Sequence, residues 1–178
     1  MKRFAMLLMC LFVVFMSANA QRIKRDEIDK FTKKRVIETS FKEISGSAFS
    51  VRKNIWIAFK KNGDLEYMRI KWRCDDILAV EEGASIMFLD KDGETYEFAN
   101  SEYTIAERGA GTVGISGTEQ PGLNLYVLGD CSVFEDKLMT DIRIQTTDGY
   151  VDFKIMELQS KALAKTYKVF KKALDKYK

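Results

Sequence analysis

Leu65-Glu-Tyr-Met-Arg-Ile-Lys-Trp-Arg-Cys74 is the stretch on which the fold turns. Met68, Ile70, Trp72 and Cys74 fall on one side of an extended chain, and Tyr67, Arg69, Lys71 and Arg73 on the other. Strict period-two alternation of this kind marks an antiparallel strand with one face buried and one face wet. Asn62-Gly63-Asp64 immediately before it has the composition of a hairpin turn, and on the far side residues 54–60 set Ile55, Ile57 and Phe59 on one face. The two strands therefore pair.

Working outward, the same grammar repeats. Residues 85–89 and 95–98 flank Asp92-Gly93, and residues 141–147 and 150–155 flank Asp148-Gly149, the strongest hairpin signal in the chain. Ile142 and Ile144 face Val151, Phe153 and Ile155 as the buried side of that last hairpin. Residues 123–128 form another strand, and Val36, Ile37, Thr39 and Phe41 mark a first one over residues 35–44. Glycines 109, 111, 114, 117 and 122 with Pro121, the sole proline, predict an irregular loop or a bulged edge strand over residues 103–122. Ser132 and Glu135 are spaced as a capping box, which predicts a short helix to about Met139.

After residue 155 the period changes from two to about 3.6. Met156, Leu163, Tyr167, Phe170, Leu174 and Tyr177 fall on one stripe of a terminal helix, and Lys161, Lys165, Lys168, Lys172 and Lys176 on another. An amphipathic helix must bury its apolar stripe. The expected fold is thus α+β: a curved, half-barrel-like antiparallel sheet of about eight strands with the helix packed on it. A two-sheet β-sandwich with a terminal helix is the alternative.

At the other end, Lys2 and Arg3 precede an apolar run over residues 4–16, and Ala18-Asn19-Ala20 supplies small residues for a signal peptidase. Residues 1–20 therefore read as a signal peptide, too short to span a bilayer, with export to the periplasm or beyond as the expected localisation. Lipidation at Cys10 competes, although the apolar run continues past it. Residues 21–34 carry many charges and read as a solvated arm, leaving residues 35–178 as a single domain. No later segment is apolar enough to span a membrane. Against 26 acidic residues the chain has 29 basic ones, two of them in the leader, so no strong field steers the mature chain toward nucleic acid.

The chain has no histidine. This removes the histidine-activated serine and cysteine nucleophiles and every histidine-containing zinc site. No metal or other cofactor is expected. Cys74 and Cys131, the two cysteines outside the leader, can form a disulfide in an oxidising compartment or remain buried thiols, and sequence leaves both open.

Asp29-Lys-Phe-Thr-Lys-Lys-Arg-Val-Ile-Glu-Thr-Ser-Phe41 and Asp141-Ile-Arg-Ile-Gln-Thr-Thr-Asp-Gly-Tyr-Val-Asp-Phe153 resemble small secreted proteins of Bacteroidota that have no assigned function. The resemblance implies an exported origin and carries no catalytic residue with it.

Several motifs invite chemistry. Gly109-Ala-Gly-Thr-Val-Gly114 has dinucleotide-loop spacing, but Ile115-Ser-Gly-Thr118 after it does not open a helix. Asp75-Asp76, Glu81-Glu82 and the Asp90, Asp92, Glu94 group are candidate acids for glycoside hydrolysis or, in the last case, calcium ligands; solvated turn acids are the plainer reading. The lysine stripe suits either an anionic membrane surface or, more simply, solvent. Trp56, Tyr67, Arg69, Lys71 and Arg73 make a basic, aromatic strand face, which is either an ordinary wet face or a ligand-binding surface. The chain thus reads as a non-enzymatic binding or structural module of the cell envelope, with a protein, a glycan or an apolar ligand as partner. A carboxylate-dependent hydrolase acting on polysaccharide is the alternative.

Overall fold

A computed structural model describes residues 22–46, 54–74, 77–113 and 119–176. Residues 1–20, read above as a signal peptide, and Asp75-Asp76 and Tyr177 lie outside those residues. The alternating stretch is β5 (Leu65–Arg73), and β4 (Asn54–Asn62) pairs with it in unbroken register from Asn54↔Arg73 to Asn62↔Leu65. Gly63, at φ 62°, makes the turn between them.

Eleven strands join one antiparallel sheet. Its path runs from β1 (Ile23–Ile28) through β2 (Arg35–Thr39), β4, β5, β11 (Glu119–Leu128), β8 (Thr95–Asn100), β7 (Ser85–Asp90) and β12 (Met139–Thr146) to β13 (Gly149–Lys154). Off this path, β3 (Lys42–Ser45) pairs with β4 and β10 (Glu107–Val113) with β11. A separate small ladder joins β6 (Ala79–Val80) to β9 (Thr104–Ile105).

The sheet curls without closing. Trp72 on β5 and Phe153 on β13 are five inter-strand steps apart, about 24 Å in a flat layer at ~4.8 Å per step. Their ring centroids lie 5.2 Å apart. Ser45 Oγ at the β3 end donates to the Lys154 carbonyl at the β13 end across 2.9 Å, so one side-chain hydrogen bond bridges the two edges. The sheet has eleven strands and not about eight, because the expected first strand divides into β2 and β3 and because β1 and β10 fall where an arm and a loop or bulged edge strand were expected.

Inside the curve lies α1 (Glu157–Asp175), which touches β2, β3 and β4 at one end of the layer and β12 toward the other. Its Leu163, Tyr167 and Phe170 are buried, and Phe59 of β4 meets Tyr167 edge to face at 5.0 Å and stacks on Phe170 at 6.0 Å. A 3₁₀ turn (Cys131–Glu135) adds Phe134, whose ring lies 5.6 Å from Phe59, 5.0 Å from Phe88 and 5.6 Å from Phe98. The space between sheet and helix is filled by this aromatic cluster.

Four expectations need correction. The charged segment after residue 21 is not a solvated arm throughout: β1 pairs with β2, its backbone bonded and most of its side chains exposed, with Ile23 half-buried against the core. Edge strands are commonly charged in this way, which hides them from an apolar-pattern search. The first strand is broken at Ser40-Phe41 into β2 and β3, and Thr39 Oγ1 takes the Phe59 N–H at the break. The helix expected from Ser132 is only the 3₁₀ turn; Asp130, whose carboxylate accepts the Ser132 N–H, is its cap, and β12 begins at Met139. Met156 precedes the first turn of α1 and is exposed, while Ser160, Thr166 and Ala173 join the buried stripe.

Candidate functional site

The outer face of β4, β5 and β11 gathers the basic and aromatic residues singled out in the sequence. In register, Lys60 faces Tyr67, Ala58 faces Arg69 and Trp56 faces Lys71; on the other side Tyr126 faces Arg69, Asn124 faces Lys71 and Gly122 faces Arg73. Ala58, opposite Arg69 in the register, carries only a methyl group and is completely buried. Arg69 Nη1 donates to Glu38 Oε1 at 3.0 Å and Nη2 to Asn124 Oδ1 at 3.1 Å. Phe41 and Tyr126 carry it between their rings, with centroids at 5.3 Å and 5.2 Å.

Glu38 and Phe41 both reach Arg69 although they are three residues apart. An unbroken strand would send them to opposite faces, so the break at Ser40-Phe41 is what brings the ring over. Lys71 also lies over Phe41, its Nζ 5.1 Å from the ring centroid. Desolvation, then the charges of Arg69 and Lys24, hold its pKa below the usual lysine value, and Glu38 offsets them only in part. Tyr67 is not exposed as the alternation suggests: it is 8% exposed, with Lys60 over its ring and Tyr126 beside it, and burial raises its hydroxyl pKa. Arg73 is held to Gln120 Oε1.

Beside this face lies a cleft of about 470 Å³. Lys71, Asn124 and Tyr126 line it from β5 and β11, and Glu102, Tyr103, Thr104, Ile105 and Glu107 line it from the segment around β9. Its end is a bulge. The β10 register passes from Arg108↔Pro121 to Thr112↔Gln120, so Gly109, Ala110 and Gly111 have no counterparts on β11. A Cβ on Gly111 would lie 2.4 Å from the Pro121 carbonyl, and one on Gly122 would lie 2.2 Å from the Trp72 carbonyl, so the close crossing of three backbones requires both glycines. The dinucleotide-like spacing is thus a strand bulge, as its context indicates; Gly114 lies outside the described residues.

Of the five predicted face residues, the structure joins Arg69 and Lys71 in one cluster, with Tyr67 and Trp56 adjacent and Arg73 at the bulge. Lys71 alone among them lines the cleft. Asn124 and Tyr126 were signalled by the alternation of residues 123–128, which puts them on the wet face. Tyr103, Glu102 and Glu107 had no such signal, because the chain reaches the cleft through an irregular segment anchored by the Asn100 side chain on the Val80, Glu81 and Glu102 carbonyls.

The acidic motifs separate from this site. Asp90 Oδ1 accepts the backbone N–H groups of Asp92 and Glu94, and Oδ2 accepts the Tyr96 hydroxyl. Lys137 Nζ sits 3.4 Å from Asp90, 3.7 Å from Asp92 and 3.0 Å from Glu94, occupying with its ammonium the place a cation would take. Desolvation works to raise the Asp90 pKa and is outweighed by those amides, the Tyr96 hydroxyl and Lys137, which hold it below the usual carboxylate value. Among the described residues no group of three or more acids or cysteines is placed to hold a metal ion. Glu81 and Glu82 are exposed in a turn. The lysine face of α1 is laced by pairs of Lys161 with Glu157, Lys168 with Asp136 and Lys171 with Glu135. No described helix is long and apolar enough to cross a membrane.

Cys74 and Cys131 are both buried. Cys131 is a free thiol, so no bridge joins the two, and desolvation pushes its pKa up to about 12.

Comparison with protein-family models, with curated proteins and with solved structures found no match for this chain. Function has to be argued from the site.

Proposed function

We propose that the protein is an exported binding module of the cell envelope whose ligand is a glycan held in the cleft beside the β5–β11 face. One observation carries this reading: a cleft of about 470 Å³ that combines two tyrosine rings with Lys71, Asn124 and Thr104. That volume lies within the ~300–1,000 Å³ of ordinary small-ligand sites. Tyrosine offers a sugar ring an apolar face and a hydroxyl at once. Asn124 spends its carbonyl oxygen on Arg69, which leaves its amide hydrogens for a ligand hydroxyl. An apolar ligand inside the sheet is the less favoured reading, because aromatic side chains fill that volume.

The test is a glycan array of envelope and host saccharides, followed by titration of the best hit into isotope-labelled protein. Backbone shifts should cluster at Lys71, Tyr103, Asn124 and Tyr126, and Lys71→Met and Tyr126→Ala should each weaken binding at least about tenfold, the loss of one good contact. Shifts confined to other surfaces, or an array without hits, reject the reading. Mass spectrometry of the secreted chain checks the export half: cleavage before Gln21 is expected.

A second reading has one specific support. Glu102 and Glu107 line the same cleft, and glycoside hydrolysis runs on a pair of carboxylates. Release of reducing ends from an array hit, abolished by both Glu102→Gln and Glu107→Gln, would turn the binding module into a hydrolase.

A further inference from the structure

The turn between β1 and β2 is built to hold an apolar side chain in water. Phe31 is 82% exposed at its tip, and Ile28 beside it is 68% exposed. The turn is nevertheless tied down. Asp29 Oδ1 accepts the Phe31 N–H at 3.0 Å, the Thr32 N–H at 2.7 Å and the Thr32 hydroxyl at 3.0 Å, while the Asp29 and Lys33 backbones close it with bonds of 2.8 Å and 2.9 Å. Lys33 holds φ 59°, the sole positive φ at a non-glycine among the described residues.

The β4–β5 hairpin tip meets this turn. Gly63 N–H donates to the Arg35 carbonyl at 3.0 Å, and the Lys34 stem lies across Gly63. Leu65, at the same hairpin tip, is 55% exposed. Lys30 Nζ lies 4.9 Å from the Phe31 ring centroid, and Lys33 and Lys34 follow in the same turn, all three exposed. The last turn of α1, with Lys172 and Lys176, reaches the same end through Arg35, whose Nη2 donates to the Ala173 carbonyl at 3.2 Å. Of the acids at this end, Asp26 and Glu27 on β1 are paired with Arg35 and Arg25, Asp29 is bonded within the turn, and Asp64 is exposed at the hairpin tip, so lysines outnumber the remaining acids.

An exposed aromatic on a tied-down turn, with two exposed aliphatic side chains and three exposed lysines at the same end of the sheet, matches the two components of an interfacial lipid site, apolar insertion and attraction to anionic headgroups. We propose that this end of the sheet, with Phe31 as its anchor, docks on an anionic lipid surface. The lysine rim sets the partner: an uncharged apolar groove on a protein would gain nothing from it, whereas a negatively charged bilayer attracts each ammonium while its stem lies along the acyl boundary. The cleft is lined by other residues and is left free.

Cosedimentation with large vesicles tests this, using three parts phosphatidylcholine to one part phosphatidylglycerol against phosphatidylcholine alone. The full chain is compared with Phe31→Ser in the same background, so that any contribution of residues 1–20 cancels. Wild type should partition onto the anionic vesicles and release with salt. Phe31→Ser should partition about tenfold more weakly, half the burial value of a Phe side chain. Lys30→Gln with Lys33→Gln should partition about thirtyfold more weakly, at ~1 kcal/mol per lysine. All three side chains are exposed, so circular dichroism spectra should coincide. Equal partition onto both vesicle types, or a Phe31→Ser variant that sediments like wild type, overturns the proposal. So does self-association in sedimentation velocity that Phe31→Ser abolishes without any vesicle binding, which would assign the patch to a second copy of the chain.

Discussion

Arg69→Met should unfold this protein more easily than any comparable change on an exposed strand face. The Arg69 and Glu38 side chains are 16% and 7% exposed and bonded at 3.0 Å. Removing the guanidinium leaves Glu38 with its charge inside the face and takes away the group that fills the gap between Phe41 and Tyr126. Breaking one partner of a buried pair costs ~3–5 kcal/mol, and the residual exposure of Arg69 argues for the lower end, about 3. With a urea slope of ~2 kcal/mol/M, the unfolding midpoint should fall by about 1.5 M. A cycle separates the pair from the packing. Glu38→Met alone should cost less than Arg69→Met, since Arg69 retains Asn124 and two rings; the double variant should return to within about 1 kcal/mol of wild type, because two apolar side chains of similar volume need no counter-charge. The readout is urea unfolding followed by tryptophan fluorescence at pH 7. If Arg69→Met costs less than about 1 kcal/mol, the pair is an ordinary surface salt bridge and the description of this face as a desolvated platform is wrong.

Three further expectations concern the framework. Cys131, with its pKa pushed up to about 12 by desolvation, should resist a disulfide exchange reagent at pH 8 in the folded protein and react at once in denaturant; labelling at the rate of a free peptide thiol would contradict its burial. Gly122→Ala should cost at least about 3 kcal/mol, since its Cβ would meet backbone on two strands, whereas Gly83→Ala, at φ 77° with nothing within 4 Å, should cost only the ~1–2 kcal/mol of the left-handed conformation; equal thermal shifts would refute the interlock at the bulge. Asp90 is held below its usual pKa when folded, so its stabilising contribution is complete above the unfolded carboxylate value and disappears as pH falls through the folded one. Asp90→Asn should therefore be destabilised near neutrality and lose part of the acid dependence of the melting temperature below about pH 4, the ordinary carboxylate range; parallel melting curves for the two proteins would reject that role.

Local pattern read what local physics decides. The alternation of residues 65–74 gave β5 and its buried side, because neither face of a half-wet strand can be exchanged without moving Trp72 into water. Glycine-marked turns gave the β4–β5, β7–β8 and β12–β13 hairpins, and the change of period gave α1. Strand order was illegible for the opposite reason: β11 lies between β5 and β8 through pairings distant in sequence, and only two residues of it, Val127 and Leu128, meet β8. β1 was missed because its bonds belong to the backbone and its side chains carry no apolar period. The basic face of the site could be read from Tyr67 to Arg73, but its second wall could not. Tyr103 and Glu107 arrive there through the side-chain anchor at Asn100 and the bulge at Gly109, and neither has a period.

The cluster at Arg69 is an expensive way to cover a sheet. A leucine or methionine at Arg69 and Glu38 would pack over Ala58 without any charge to desolvate, and such replacements are often neutral or stabilising by ~1–4 kcal/mol. Stability alone therefore gives no reason for an arginine flattened between two rings with a second cation, Lys71, held above the same Phe41. Presentation does give one. The bond from Arg69 fixes the Asn124 carboxamide, and the ring contact with Arg69 fixes Tyr126, both of which line the cleft together with Lys71. A site held in place before its ligand arrives loses less side-chain entropy on binding. On that argument Arg69→Met in a Glu38→Met background, stable but without the orienting guanidinium, should fold normally and still bind the array ligand about tenfold more weakly; full affinity in the double variant would show that the cluster serves the fold and not the site.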